Sequence, residues 1–208
     1  MKKIAFFIFI LPLIVNSQDL NDQKFDISFS YGLSYIDYAN YSETSPLNFE
    51  LPSVGTFIDF NFDFKLPKNR YIGIGVSRQY HSKTVDGGVL INSTNTGLVI
   101  DNYNNIHQKL LFDVHFRTVF KNNIHFSLGT FYFINIINGN SIEQDTSGNP
   151  LFVIFGEENR TDNFGLVGSI EYYFNLTNYV DLGFRGKLYY SFNGIETIAF
   201  LPTLRMKF

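Results

Sequence analysis

The stretch Ile198-Ala199-Phe200-Leu201-Pro202-Thr203-Leu204-Arg205-Met206-Lys207-Phe208 closes the sequence. Counted back from Phe208, one alternating set is Phe208, Met206, Leu204, Pro202, Phe200 and Ile198. The other is Lys207, Arg205, Thr203, Leu201, Ala199 and Thr197. Successive side chains of a strand point to opposite faces. The stretch is therefore a strand with one apolar face and one face carrying two cations.

The same period of two recurs upstream, which is the signature of half-buried strands and not of a helical stripe. It predicts seven further strands, over about 25–38, 55–66, from 71, 106–120, 124–136, 163–174 and 179–192. In the second, Ile58, Phe60, Phe62 and Phe64 alternate with Asp59, Asn61, Asp63 and Lys65. In the fourth, Leu110, Phe112, Val114 and Phe116 alternate with Lys109, Asp113, His115 and Arg117. A tilted strand crosses a bilayer in ~9–11 residues, and nearly all eight strands are long enough.

The connections alternate too. Residues 66–70, 121–123 and 175–178 are tight turns rich in Pro and Asn, the residues turns favour. Residues 39–54, 82–103 and 138–162 are long segments, and Asn193-Gly194 is a short hairpin signal. Short turns at one end and long loops at the other describe a transmembrane barrel. The expectation is an all-β, eight-stranded antiparallel up-and-down transmembrane β-barrel, with an even strand count that places both termini in the periplasm.

Composition narrows the class. The 208 residues hold 24 Phe, 13 Tyr and no Cys, so disulfides and a lipid-anchored cysteine are excluded. Sixteen basic against nineteen acidic residues, with no basic stripe, speak against a nucleic-acid partner. Lys2 and Lys3 precede an apolar run and then Ser17, the layout of a cleaved signal peptide over 1–17. The barrel domain is then 18–208.

Alternation alone does not say which face meets lipid. A soluble barrel turns its apolar face inward; a membrane barrel turns it outward. Eight rows of large apolar residues exceed what an eight-stranded interior holds. The opposite faces carry small residues such as Gly73, Gly75 and Gly129, which suit a narrow interior. Aromatic residues near strand ends suit the two interfacial girdles. The polar faces therefore line the interior. Their charges are Asp26, Asp59, Asp63, Asp113, Glu171, Asp181 and Glu196 against Lys65, Lys109, Arg117, Lys121, Arg185, Lys187, Arg205 and Lys207. A lone buried charge costs several kcal/mol, so this near-neutral set predicts a salt-bridged plug. Asp26 and Lys207, at the ends of the first and last strands, are expected to lie close together.

On these residues the chain resembles the eight-stranded Gram-negative outer-membrane barrels: OmpX, the transmembrane domain of OmpA, and PorT-like barrels. The resemblance implies outer-membrane lipid as surroundings. It also implies that the terminal strand, through Phe208, Met206 and Leu204, is the insertion signal read by the barrel-assembly machinery. Pro202 departs from the pattern: it removes a ladder donor, and predicts a bulge or an unpaired position in the closing seam.

No catalytic, cofactor or metal set stands out. His125-Phe126-Ser127 matches the His-x-Ser pair of lipid A deacylase barrels, but it follows a tight turn, at the end away from the outer leaflet. His107 and His115 share a face with charged residues, and the expectation is a satisfied interior network. In the long segments, Val89-Leu90-Ile91 and Leu98-Val99-Ile100 flank a hairpin tip, and Leu151 to Phe155 is apolar. Val89, Leu90, Ile91, Phe152, Val153, Ile154 and Phe155 are the candidate docking residues for an outer-membrane protein partner. The functional expectation is a structural or interaction barrel, with a narrow pore or a lipid-modifying enzyme as alternatives.

Overall fold

The computed structural model describes residues 23–36, 53–85, 89–93, 96–100, 103–121, 123–144 and 150–208, with side chains described over 23–36, 53–84, 106–120, 123–137 and 160–208. The signal peptide expected over 1–17 lies outside the described residues. The strands are β1 (Phe25–Tyr35), β2 (Val54–Leu66), β3 (Arg70–Val85), β4 (Val89–Ser93), β5 (Thr96–Ile100), β6 (Tyr103–Lys121), β7 (Ile124–Gln144), β8 (Pro150–Asn175), β9 (Val180–Ser191) and β10 (Gly194–Lys207).

Eight of them form one closed barrel in the order β1-β10-β9-β8-β7-β6-β3-β2, every pairing antiparallel. β4 and β5 make a separate two-stranded sheet, pairing Val89 with Ile100 through Ser93 with Thr96. The hairpin expected at 89–100 is there as a two-stranded sheet, and residues 86–88 and 101–102, which link it to β3 and β6, lie outside the described ones.

The β2–β3, β6–β7 and β8–β9 connections and both ends of the barrel chain lie at one rim, the turn end, while the short β9–β10 turn lies at the opposite rim. At the turn end Lys68 and Asn69 take the left-handed conformation (φ 63° and 54°) that closes the β2–β3 hairpin. The other rim is the loop end.

The alternation sorts side chains as the pattern demands. Outward residues such as Phe29, Leu33, Ile74, Val114, Leu128, Leu166 and Phe200 stand exposed, Leu128 at 66%. Soluble monomers rarely expose an apolar patch beyond ~600 Å². A continuous belt of this kind needs lipid around it. Inward residues are buried, most of them polar or charged.

Two strands overrun their expected ends. β7 and β8 stay paired past the barrel proper, from Asn138↔Glu158 up to Gln144↔Pro150, with irregularities at Gly139/Ser141 and Glu143/Gln144. The segment expected as a long loop over 138–162 is thus largely a protruding β-hairpin. Phe152, Val153 and Ile154 are paired in it with Glu143, Ile142 and Ser141.

Candidate functional site

The interior is stacked in three layers. Nearest the turn end, Arg117 on β6 is bonded to Asp26 on β1, with Asp63 at 3.1 Å and Glu171 at 3.8 Å, and its guanidinium lies 4.1 Å from the Tyr71 ring. Arg205 on β10 binds Asp181 through Nε (2.9 Å) and Nη2 (2.5 Å) and stacks 3.7 Å from the Tyr173 ring. His115 stands between two carboxylates, Nδ1 2.6 Å from Asp113 and Nε2 2.9 Å from Asp63. An imidazolium, donating from both nitrogens, matches that pair of acceptors.

The next groups inward belong to the same network. Arg185 on β9 reaches Asp59 (2.6 Å) and Glu171 (3.0 Å) and donates to Ser28 and Tyr173. Lys187 sits 2.8 Å from Asp59 and 3.2 Å from Asp113. Every cation here faces at least one acid on another strand. Such pairing is what makes charge tolerable in an enclosed space, because removing one partner strands the other.

Above this lies an apolar layer: Phe57, Leu111, Phe131, Phe133, Val167, Tyr189, Ala199 and Leu201, all buried. Phe131 and Phe133 stack at 5.8 Å, and Tyr189 meets Phe131 edge to face at 5.0 Å. The sequence reading of a charged interior passed over this layer. The signal was present in the alternation: Phe131 and Phe133 share parity with Ser127 and Asn135, and Leu201 and Ala199 share parity with Arg205. The period assigns these apolar residues to the inside as firmly as it assigns the charges.

Toward the loop end the interior is polar again. Lys109 is paired with Glu196 at 2.6 Å, and Ser191 donates to Glu196 at 2.5 Å. By simple parity Glu196 belongs on the lipid face. A bulge between Ile195 and Thr197 opposite β9 turns both Glu196 and Thr197 inward, the re-aiming that bulges at a barrel rim provide. His81 lies 3.2 Å from Ser34 and 3.0 Å from Gln79; His107 bonds Asn135, and the two imidazole rings are 6.2 Å apart.

Of the predicted interior charges, Asp26, Asp59, Asp63, Lys109, Asp113, Arg117, Glu171, Asp181, Arg185, Lys187, Glu196 and Arg205 are buried inside, and Lys207 is half-buried against Asp181 (2.9 Å). Lys65 is a correction: it is exposed at the turn-end rim. It is the last inward-parity position of β2, where its ammonium reaches water at no desolvation cost. The side chain of Lys121 lies outside the described ones. Asp26 and Lys207 are paired across the seam, yet their charges go elsewhere, to Arg117 and Asp181.

Phe208, an aromatic residue at a strand end of the kind that suits an interfacial girdle, is instead 8% exposed and packed on Phe25. Pro202 leaves β10 in register: the seam pairs Ser30 with Thr203 and Leu33 with Phe200, and skips the two pairs between. That is the unpaired position its missing donor predicts. His125 and Ser127 engage different groups, His125 with Arg205 at 3.2 Å and Ser127 with Ser169 at 2.6 Å. Among the described residues no cluster of three or more His, Cys, Asp or Glu is arranged to hold a metal. The side chains of Val89, Leu90, Ile91, Phe152, Val153, Ile154 and Phe155 lie outside the described ones.

The backbone of the protruding hairpin has a further property. β8 pairs with β9 only from Gly165↔Ser191 onward, while it pairs with β7 up to Pro150. The β9–β10 connection is the tight turn at Phe192-Asn193. Above it, among the described residues, the β8 edge over 150–163 has no neighbouring strand.

No family profile matches the chain, and no curated protein matches it in sequence. Solved structures do match. Ail, the attachment invasion locus protein of Yersinia pestis, solved alone and with the heparin analogue sucrose octasulfate, aligns over 90% of this chain and 99% of its own, at 10% identity and TM-score 0.50. The Yersinia pestis outer membrane protein Ail in a phospholipid bilayer nanodisc aligns over 90% and 100%, at 10% identity and TM-score 0.43. Neisserial surface protein A aligns over 88% and 97%, at 11% identity and TM-score 0.46. The likeness is one of fold: a closed eight-stranded antiparallel barrel of the outer-membrane kind.

Proposed function

We propose that the chain is an integral outer-membrane protein with a structural and protein-docking role, sealed in its interior and binding a partner through the β7–β8 hairpin. The observation that carries the reading is the uncovered β8 edge over 150–163. An open strand edge presents a row of unpaired N–H and C=O groups, and a partner strand can add to it by main-chain hydrogen bonds. Fourteen strand positions are ample for such an addition, since typical strands run ~5–6 residues.

The sealed interior supports a non-enzymatic, non-conducting role. Charges paired across the lumen and a buried apolar layer above them oppose an aqueous path. In this reading residues 1–17 are removed on export, the turn end faces the periplasm, and Phe208, Met206 and Leu204 present the strand read by the assembly machinery. Ail was solved with a polyanion; the loop-end segments here carry Asp37, Glu43, Glu50, Asp86, Asp101, Glu143, Asp145, Glu157 and Glu158, which does not suit one.

The test uses the intact protein in mild detergent, isolated from its own outer membrane. A variant with the hairpin shortened to a turn at Asn138 and Glu158, and a second with Pro at Ile154 and Val153, should both lose a partner that the native chain retains. Retention of the partner by both variants contradicts the docking reading.

A further inference from the structure

We infer that the turn-end rim is a binding surface for anionic phospholipid headgroups, concentrated on the arc formed by β1, β2 and β3. The inference rests on the membrane reading above. Lys24, Lys65, Lys68 and Arg70 are all exposed at this rim, and none of them makes an ion pair among the described residues. β1, β2 and β3 are consecutive in the closed barrel, so the four cations form one arc and are not scattered round the mouth. Lys121, at the end of neighbouring β6, continues it in sequence.

The turns of this rim contain no acid to offset them; Asp19 and Asp22, which precede Lys24 in the sequence, lie outside the described residues. The turn-end residues 65–70, 118–123 and 175–179 contain no Asp or Glu. Among the described residues, the three acids nearest this rim, Asp26, Asp63 and Asp181, are buried against interior cations. On the far side of the rim, Asn175 to Tyr179 is uncharged and Lys207 is engaged with Asp181.

The arc also lies where headgroups lie. Phe64 and Leu66 flank Lys65 on β2, and Ile72 follows Arg70 on β3; all three are exposed parts of the outer apolar belt. Arg70, at an outward position of β3 beyond that belt, lays its methylenes along the acyl boundary and lifts its charge to the phosphates, while Lys24 and Lys65, at inward-parity positions, and Lys68 in the turn add their charges from the barrel mouth. Lys68 stands in the turn between β2 and β3. It occupies a left-handed position (φ 63°), where a β-carbon is disfavoured and Asn or Gly is the usual choice. The partner of this chemistry is a phosphodiester headgroup of the leaflet at the turn end; an acidic protein is the competing occupant.

The experiment reconstitutes the full chain, native and K24Q/K65Q/K68Q/R70Q, in vesicles of phosphatidylcholine containing spin-labelled phosphatidylglycerol or spin-labelled phosphatidylcholine. The fraction of motionally restricted label reports which lipid the barrel holds. Native protein should prefer phosphatidylglycerol by at least about twofold, with the preference declining as salt rises, because surface charge attraction is screened. The variant should hold both lipids equally. Equal association for the native barrel, or a preference that survives in the variant, overturns the inference. So does an acidic protein that copurifies with native chain only, without lipid preference. Both chains inserting but showing no preference sinks this inference alone; failure of native chain to insert sinks the membrane reading.

Discussion

Phe25 and Phe208 stack face to face with ring centroids 5.1 Å apart and planes 19° from parallel. Their main chains lock the same contact: the Phe208 carbonyl accepts from the amides of Lys24 (2.5 Å) and Phe25 (3.0 Å), and the Phe208 amide donates to Phe25 (2.8 Å). The first and last residues of the barrel thus close its seam at the turn end. Truncating a well-packed Phe costs about 3–5 kcal/mol in a core. Phe208→Ala should destabilise the barrel by roughly 2–3 kcal/mol in denaturant titration in micelles, the lower figure allowing for its rim position. Met206→Ala, half-buried, should cost less. A smaller loss for Phe208→Ala than for Met206→Ala would argue against the latch.

Arg185 ties β9 to Asp59 on β2 and Glu171 on β8, across the lumen and along the wall. Arg185→Met should cost up to about 3–5 kcal/mol, since it leaves buried Asp59 to Lys187 alone and buried Glu171 to Arg117 at 3.8 Å. Arg185→Met combined with Asp59→Asn and Glu171→Gln should recover much of that loss. Midpoints of unfolding for the single and triple variants decide it; a triple variant no better than the single one would mean that packing, not charge, is lost.

Gly32 and Pro202 mark the weak part of the seam. A β-carbon on Gly32 would run into the Phe200 carbonyl oxygen and stand 3.0 Å from the Leu201 Cα. Gly32→Val should therefore destabilise closure. Amide hydrogens at 31–32 should exchange faster than those at 28–30, and Pro202→Val, which restores a donor, should slow them. Uniform protection along β1 would contradict a gap in the ladder.

The apolar layer should make the barrel electrically silent. Planar-bilayer recordings of purified chain are expected to show no discrete conductance steps. Thinning the layer with Phe131→Ser, Phe133→Ser and Leu201→Ser should admit water, and with it brief openings. Stable steps from the native chain would favour the pore alternative over a plug.

The sequence speaks clearly where one local period decides the outcome. Ile72, Ile74 and Val76 against Gly73, Gly75 and Ser77 need no tertiary knowledge to be sorted onto two faces. Pairing partners are another matter. Asp26 takes Arg117, ninety-one positions away, because barrel closure and strand tilt bring β6 opposite β1; strand parity carries no such information. Glu196 is inside, as expected of the interior charges, but it gets there through a bulge that strict parity does not foresee. The length of β8 was hidden for a related reason. Glu157 to Asn163 lacks apolar alternation, because above the lipid neither face of the hairpin is required to be greasy.

The chain has no cysteine, so single Cys substitutions label one position each. Spin labels at Ile74, Val114 and Phe200, and at Gly75, Asp113 and Leu201, would be compared in lipid vesicles for collision with oxygen, which concentrates in the acyl region, and with a water-soluble nickel complex. The outward set should collide with oxygen and be shielded from nickel, and the inward set should be shielded from both. Nickel access to Ile74, Val114 and Phe200 would put water where this account puts lipid, and would contradict the transmembrane barrel.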